Sequence, residues 1–211
     1  MLLKFLRSLF VVALLAPAAG AAPTPAASGP GPEQVVHELT DSVMNAVRSD
    51  PALRSGNTAK IAQMVETKVL PFLDFRQMTA SAVGRFWRQA TPQQQQQLQD
   101  QFKLLLIHTY SGAVSRIHDQ KIRFLPLRAD PGATNVVVRT RIIDQGDVIQ
   151  LDYRLLRTDG AWKISDVNVM GIWLVDNYRG VFAQEIGSKG IDGLIKTLEQ
   201  RNQALAAADK R

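Results

Sequence analysis

The chain has 211 residues, an apolar share of 45%, and 25 basic against 19 acidic side chains for a formal net charge of +6. That apolar share excludes a disordered polymer, and the absence of cysteine excludes a disulfide framework, a thiol nucleophile and a lipid-modified cysteine. Stability must come from a packed core, and the length suits one domain.

Lys4 and Arg7 precede the apolar run Leu9 to Leu15, and the small residues Ala19-Gly20-Ala21-Ala22 follow, so residues 1–22 read as an export signal. The run is too short to span a bilayer, and no second run approaches the roughly 20 residues that a transmembrane helix needs. Removal of Lys4 and Arg7 with the leader leaves 23 basic against 19 acidic residues, a net charge of +4. An exported protein meets no nucleic acid, so this mild excess points to anionic membrane surfaces or acidic partner faces, or to ordinary solubility.

Residues 23–32, with four prolines and two glycines, read as a disordered linker. The domain is expected over 33–203, with a flexible tail from 204 to 211. Val36, Leu39, Val43, Met44 and Val47 recur at helical spacing, as do Ile61, Met64, Val65 and Val69, which predicts two amphipathic helices. Pro71 ends the second, and Asp74 can cap a short third helix through Phe75, Met78 and Val83 to Gly84. In Thr91-Pro92-Gln93-Gln94 the threonine caps, the proline takes the first helical position and a glutamine closes a capping box. A long helix should run from there to about Ile117, with the run Gln93 to Gln97 as its solvated first turn.

After Asp119 the apolar period changes from 3.6 to 2. Ile122 and Phe124, then Val136, Val138, Thr140 and Ile142, then Ile149, Leu151, Tyr153 and Leu155 alternate with polar or outward residues. Gly146 and Gly160 sit at hairpin turns. In the last strand Trp162 and Ile164 are out of phase with Val167 and Val169, and a bulge near Ser165-Asp166 restores the phase. Two helices follow, one through Val175, Tyr178, Phe182 and Ile186, the other through Ile191, Leu194, Ile195 and Leu198. About six helices over a curved antiparallel four-stranded sheet make an α+β domain.

Chemistry-bearing constellations are sparse. His37, His108 and His118 lie far from metal-ligand spacing, His108 reading as a helix-surface residue and His118 as a helix C-terminal cation. Gly187-Ser188-Lys189-Gly190 is a helix-to-helix turn rather than a phosphate loop. Asp166 either hydrogen-bonds backbone at the bulge or acts as a base beside an apolar pocket. What is abundant is large apolar groups, among them Phe72, Phe86, Trp87, Tyr110, Trp162 and Trp173, and a curved sheet with helices on one face forms a cone that can stay open at its wide end.

The order of Leu70-Pro71-Phe72-Leu73-Asp74-Phe75, Gly84-Arg85-Phe86-Trp87-Arg88 with Ala90-Thr91, Thr109-Tyr110, Trp162-Lys163-Ile164 with Asp166-Val167, Gly171, Asn177-Tyr178-Arg179 with Phe182, and Gly190 to Ile195 resembles the MlaC-type periplasmic phospholipid-binding proteins, also known as toluene-tolerance auxiliary components of ABC transporters. The resemblance spans roughly Glu33 to Gln203. It implies a nuclear-transport-factor-like cone whose pocket encloses acyl chains while the headgroup stays outside, with no covalent step and no cofactor beyond the phospholipid cargo. It further implies a monomeric periplasmic shuttle between an outer-membrane lipoprotein–porin complex and an inner-membrane MCE-type ABC transporter, maintaining outer-membrane lipid asymmetry.

Expected lining residues are Phe72, Phe75, Met78, Val83, Phe102, Leu106 and Tyr110 from the helices and Val136, Val138, Ile142, Leu151 and Tyr153 from the sheet. Val169, Ile172, Val175, Tyr178 and Phe182 are expected from the last strand-to-helix passage. Arg179 or Arg85 would meet the headgroup phosphate, because a guanidinium suits phosphate geometry. One departure stands out: the family usually has a small polar residue, suited to capping, where this chain has Trp173. Two alternatives remain open, an isomerase- or hydrolase-like enzyme on the same cone using Tyr110 and Asp166, and a periplasmic chaperone or adaptor with an exposed apolar groove.

Overall fold

The computed structural model describes residues 29–117 and 120–208. The expected leader, most of the linker, His118 and the last three residues of the tail lie outside the described residues. Helix α1 (Pro32–Ser49) starts at the end of the proline-rich stretch and buries Val35, Val36, Leu39, Met44 and Val47 along one face. The short α2 (Pro51–Arg54) is capped by Asp50, and α3 (Thr58–Met64) by Asn57, whose side chain accepts from the Lys60 amide. A π turn (Val65–Val69) and a 3-10 turn (Leu70–Phe72) then bring the chain to Pro71, where a missing amide hydrogen ends the helical ladder.

Asp74 caps α4 (Phe75–Val83) by accepting from Gln77, and a 3-10 turn occupies Gly84–Arg88. Helix α5 (Pro92–Val114) carries the expected capping box, with Gln94 N–H donating to Thr91 Oγ1 at 3.2 Å and Thr91 N–H to Gln94 Oε1 at 2.9 Å. It stops at Val114, three residues short of the expected Ile117.

Among the described residues, β1 (Lys121–Phe124), β2 (Asn135–Asp144), β3 (Asp147–Thr158), β4 (Ala161–Val169) and β5 (Ile172–Trp173) form one antiparallel sheet in chain order. The bulge lies where the broken alternation placed it. Arg154 pairs with Asp166 and Leu155 with Ile164, which leaves Ser165 as the extra residue.

The strand number corrects the expectation of four, and so does the chain's course beyond Val169. Ile172 and Trp173 fold back as a fifth strand against Val169 and Asn168 before the following helix begins at Leu174. The cause is a two-residue turn. Gln145-Gly146 (φ 48°, 105°), Asp159-Gly160 (51°, 82°) and Met170-Gly171 (52°, 92°) all have two successive positive φ values, the mirror-image turn whose twist matches that of paired strands. Asn168 Oδ1 accepts from the Gly171 amide at 2.8 Å and fixes the third turn.

Helix α6 (Leu174–Ala208) breaks at Gly190, where φ is 72°, so the two expected helices are consecutive segments that meet at an angle. Glu185 on the first segment accepts from Lys189 and from Thr197 on the second. The helix continues to Ala208, beyond the domain end expected at 203.

Among the described residues three apolar cores result. One is helical, built from α4, α5 and α6 around Phe102, and a second joins α1 to one sheet face; Leu73 packs against both. The third gathers Val47, Leu53, Ile61, Met64 and Ile107 where α1, α2 and α3 meet α5. Leu73 also bridges to Ile164, and the Asp74 amide donates to the Ile164 carbonyl. With β5 further along, this covers the outer edge of β4. His37 on α1 stacks on Phe124 of β1 with ring centroids 3.4 Å apart, and the described residues contain no group of three metal-ligating side chains.

Candidate ligand-binding site

Strand register determines which side chains share a face, because directly paired residues point the same way. Val136 faces Leu155, Val138 faces Tyr153, Thr140 faces Leu151 and Ile142 faces Ile149; across the next seam Tyr153 faces Val167 and Leu151 faces Val169. These residues make one apolar ladder, and its burial changes along its length. At one end Val136, Val138, Leu155 and Ile164 are buried under Val35, Val36 and Leu39 of α1. Toward the other end Ile142, Ile149, Leu151 and Val169 are only half-buried. At the rim Ile172 is 58% and Met170 70% exposed. The sheet face is closed at one end and open at the other.

Of the expected lining residues, Val136, Val138 and Tyr153 are buried in the sheet core, with Phe72 and Leu151 packed against it. Met78, Val83, Phe102, Val175, Tyr178 and Phe182 are buried in the helical core, with Phe75 and Leu106 packed against it. Tyr110, Ile142 and Val169 are half-buried outside both, and Ile172 is exposed on β5. The structure therefore gathers most of the expected residues into two groups and leaves Tyr110, Ile142, Val169 and Ile172 outside both. Ile149, absent from the expected lining, shares the open end of the ladder; its place in the alternation Ile149-Leu151-Tyr153 was the available signal.

The helical group is closed by aromatic packing. Phe102 meets Tyr178 and Phe182 edge-on at 5.0 and 5.3 Å and Phe75 at 5.9 Å. Burial, with Tyr178 alongside, pushes the Tyr110 phenol up. The Tyr153 phenol is raised further, chiefly by burial, with Thr40 beside it opposing the shift.

Asp166 is 1% exposed, and its carboxylate accepts from the Val167 amide at 2.8 Å, the Val175 amide at 3.0 Å and Arg154 Nη1 at 3.1 Å. Val175 is the second residue of α6. The bulged strand thus supplies from Asp166 the helix cap that Trp173 cannot make. Trp173 instead lies under the Arg154 guanidinium, 4.2 Å from its ring centroid. Burial raises Asp166 above the ordinary carboxyl range, opposed by the two amides and Arg154. Tyr110 and Asp166 share no hydrogen bond, and the Asp166 carboxylate is engaged by the two amides and Arg154.

Arg85 and Arg179, the two expected phosphate ligands, line one surface groove of about 440 Å³ together with Arg88, Gln77, Ser81, Gly84 and Trp87. Arg179 Nε donates to the Ser81 carbonyl at 3.0 Å and Nη1 lies 3.1 Å from Asp176; the Arg85 guanidinium sits 4.9 Å from the Phe86 ring. Arg88 was missed because its alignment with Arg85 depends on the 3-10 turn, in which residues three apart eclipse.

Comparison with known proteins matches residues 37–200 to the family described as MlaC protein. The chain is 27% identical over 169 residues to the toluene tolerance protein ttg2D of Pseudomonas putida, covering 80% of this chain and 78% of that one. It is 18% identical over 174 residues to the intermembrane phospholipid transport system binding protein MlaC of Haemophilus influenzae, covering 80% and 81%. A phospholipid-binding protein from Ralstonia solanacearum, solved in complex with a phospholipid, superposes with a TM-score of 0.81 at 42% identity, covering 84% of this chain and 99% of that one.

Proposed function

The chain belongs to the MlaC family, and from that premise we propose that it is a non-enzymatic phospholipid carrier of the periplasm that encloses acyl chains against the open end of its sheet. The observation that carries this reading is the burial gradient along the apolar ladder, from Val136 and Leu155, covered by α1, to the half-buried Leu151 and Val169. A soluble protein that leaves such a row incompletely covered retains apolar area for a ligand to bury. The phospholipid held by the Ralstonia solanacearum relative supports the same reading.

The physical need is large. Two acyl chains expose about 30 methylenes at roughly 0.8 kcal/mol each, so moving them bare through water costs on the order of 20 kcal/mol. A carrier lowers that cost by enclosure and must also let go. Phe72, Phe75, Leu106, Tyr110, Ile142, Leu151 and Val169 are half-buried, so a cargo gains area on them without displacing a finished core. The wholly buried Phe102, Phe182 and Val138 hold the wall behind them. Arg85 and Arg179 take the headgroup phosphate at the surface. Transfer between an outer-membrane lipoprotein–porin complex and an inner-membrane MCE-type ABC transporter, in the service of outer-membrane lipid asymmetry, completes the proposal.

Mass spectrometry of lipid extracted from the purified protein tests it. Co-purified or exchangeable phospholipid is expected, and its absence both as purified and after incubation with phospholipid vesicles would sink the reading. The enzyme alternative has no comparable support, since the Asp166 carboxylate is occupied by two amides and Arg154.

A further inference from the structure

From Phe75 to Gln99 the chain carries Arg76, Arg85 and Arg88 and no acidic residue. Folding concentrates that charge. The 3-10 turn Gly84–Arg88 places Arg85 and Arg88 at i and i+3, one above the other on the same side of the turn. Arg179 joins them from α6, held by the Ser81 carbonyl and by Asp176. All three line the groove between the end of α4 and the first turns of α6. Asp176 is the acid paired there, so three guanidiniums meet one carboxylate.

The polar lining adds donors. Ser81 Oγ accepts from Gln77 Nε2 at 3.2 Å, which leaves its own proton to be donated outward. Arg85 is steadied by the Phe86 ring, so less rotamer freedom is lost when it binds. Guanidiniums recognise phosphate with paired, charge-assisted hydrogen bonds, and clustering raises the local concentration of anions.

We propose that Arg85, Arg88 and Arg179 together form a phosphate-anion site in which Arg88 is a specificity-determining residue favouring a net-negative headgroup, such as phosphatidylglycerol, over a zwitterionic one. The lipid source of the phosphate rests on the carrier reading; the binding of a phosphate anion to the groove does not.

The test titrates the full mature chain with inorganic phosphate and, separately, with dihexanoyl phosphatidylglycerol and dihexanoyl phosphatidylethanolamine at low salt, following heat and ³¹P line width. Arg88→Gln is compared with Arg139→Gln, which removes an equal charge from an exposed strand position, and circular dichroism checks that each variant folds. Phosphate binding about tenfold weaker in Arg88→Gln than in wild type and Arg139→Gln is expected, together with loss of the preference for the glycerol headgroup. Equal phosphate affinity in all three proteins would overturn the site. Phosphate binding that depends on Arg88 without any headgroup preference would overturn the lipid source and leave a free-phosphate site. Failure of the carrier reading appears elsewhere, as the absence of extractable acyl chains.

Discussion

The helical core around Phe102 and the open end of the sheet ladder have similar apolar composition and opposite states of completion. Around Phe102 four aromatic rings satisfy one another, and Phe102 and Phe182 are almost wholly buried. Along Leu151, Val169 and Ile172 the strand pairs are made, yet the face above them is only partly covered. The contrast separates apolar residues that hold the fold from apolar residues that still have area left to bury. Hydrophobicity alone does not distinguish them, whereas the fraction of each side chain already buried does.

Mutation should separate the two regions most sharply at Phe102. Phe102→Ala leaves a cavity among Phe75, Tyr178 and Phe182, and urea denaturation should record a loss of about 3–5 kcal/mol. Asp166→Ala comes next, because it strips the caps from Val167 and Val175 and leaves Arg154 without its buried partner. A loss of about 1–3 kcal/mol is expected, with faster amide exchange at Val175 reporting the freed start of α6.

At the open end the order of effects reverses. Val169→Thr should cost less than about 1 kcal/mol in denaturation, since the side chain is half-exposed, while the phospholipid recovered by extraction falls severalfold. If Val169→Thr destabilises the chain as much as Phe102→Ala, the ladder is ordinary core and the comparison collapses.

The smallest effect concerns pH. Burial raises Asp166, so the folded chain holds that proton more readily than the unfolded one. Its contribution to stability is therefore greatest at acid pH and declines as the pH rises through the raised folded value. The advantage of wild type over Asp166→Asn should accordingly be smaller at about pH 7 than at about pH 4, measured by denaturation under matched ionic strength.

Much of this architecture was legible in short windows. Thr91-Pro92-Gln93-Gln94, Asp74 and Pro71 mark helix ends because each acts on amides within a few residues. The bulge at Ser165 was legible because a side-chain period of two cannot absorb one extra residue silently. The fifth strand was not, although Met170-Gly171 repeats the positive-φ geometry of the two recognised hairpins. The passage from the last strand to the helix through Val175 carried no separate strand signal, because two residues make too short an alternation to register. Trp173 looked like a missing cap for a related reason: the acceptor for Val175 comes from Asp166, nine residues earlier and across a hairpin.

By itself the sequence determined the element types, most of their ends and the face that each strand buries, because those depend on neighbours within one or two turns. Only the tertiary structure decided which apolar residues are finished core and which remain open, and that Arg85, Arg88 and Arg179 share a groove. Those outcomes depend on α1 covering one end of the sheet and stopping short of the other, and on α6 returning past α4, which are packing relations between residues as far apart in the chain as Val35 and Ile164, or Ser81 and Arg179.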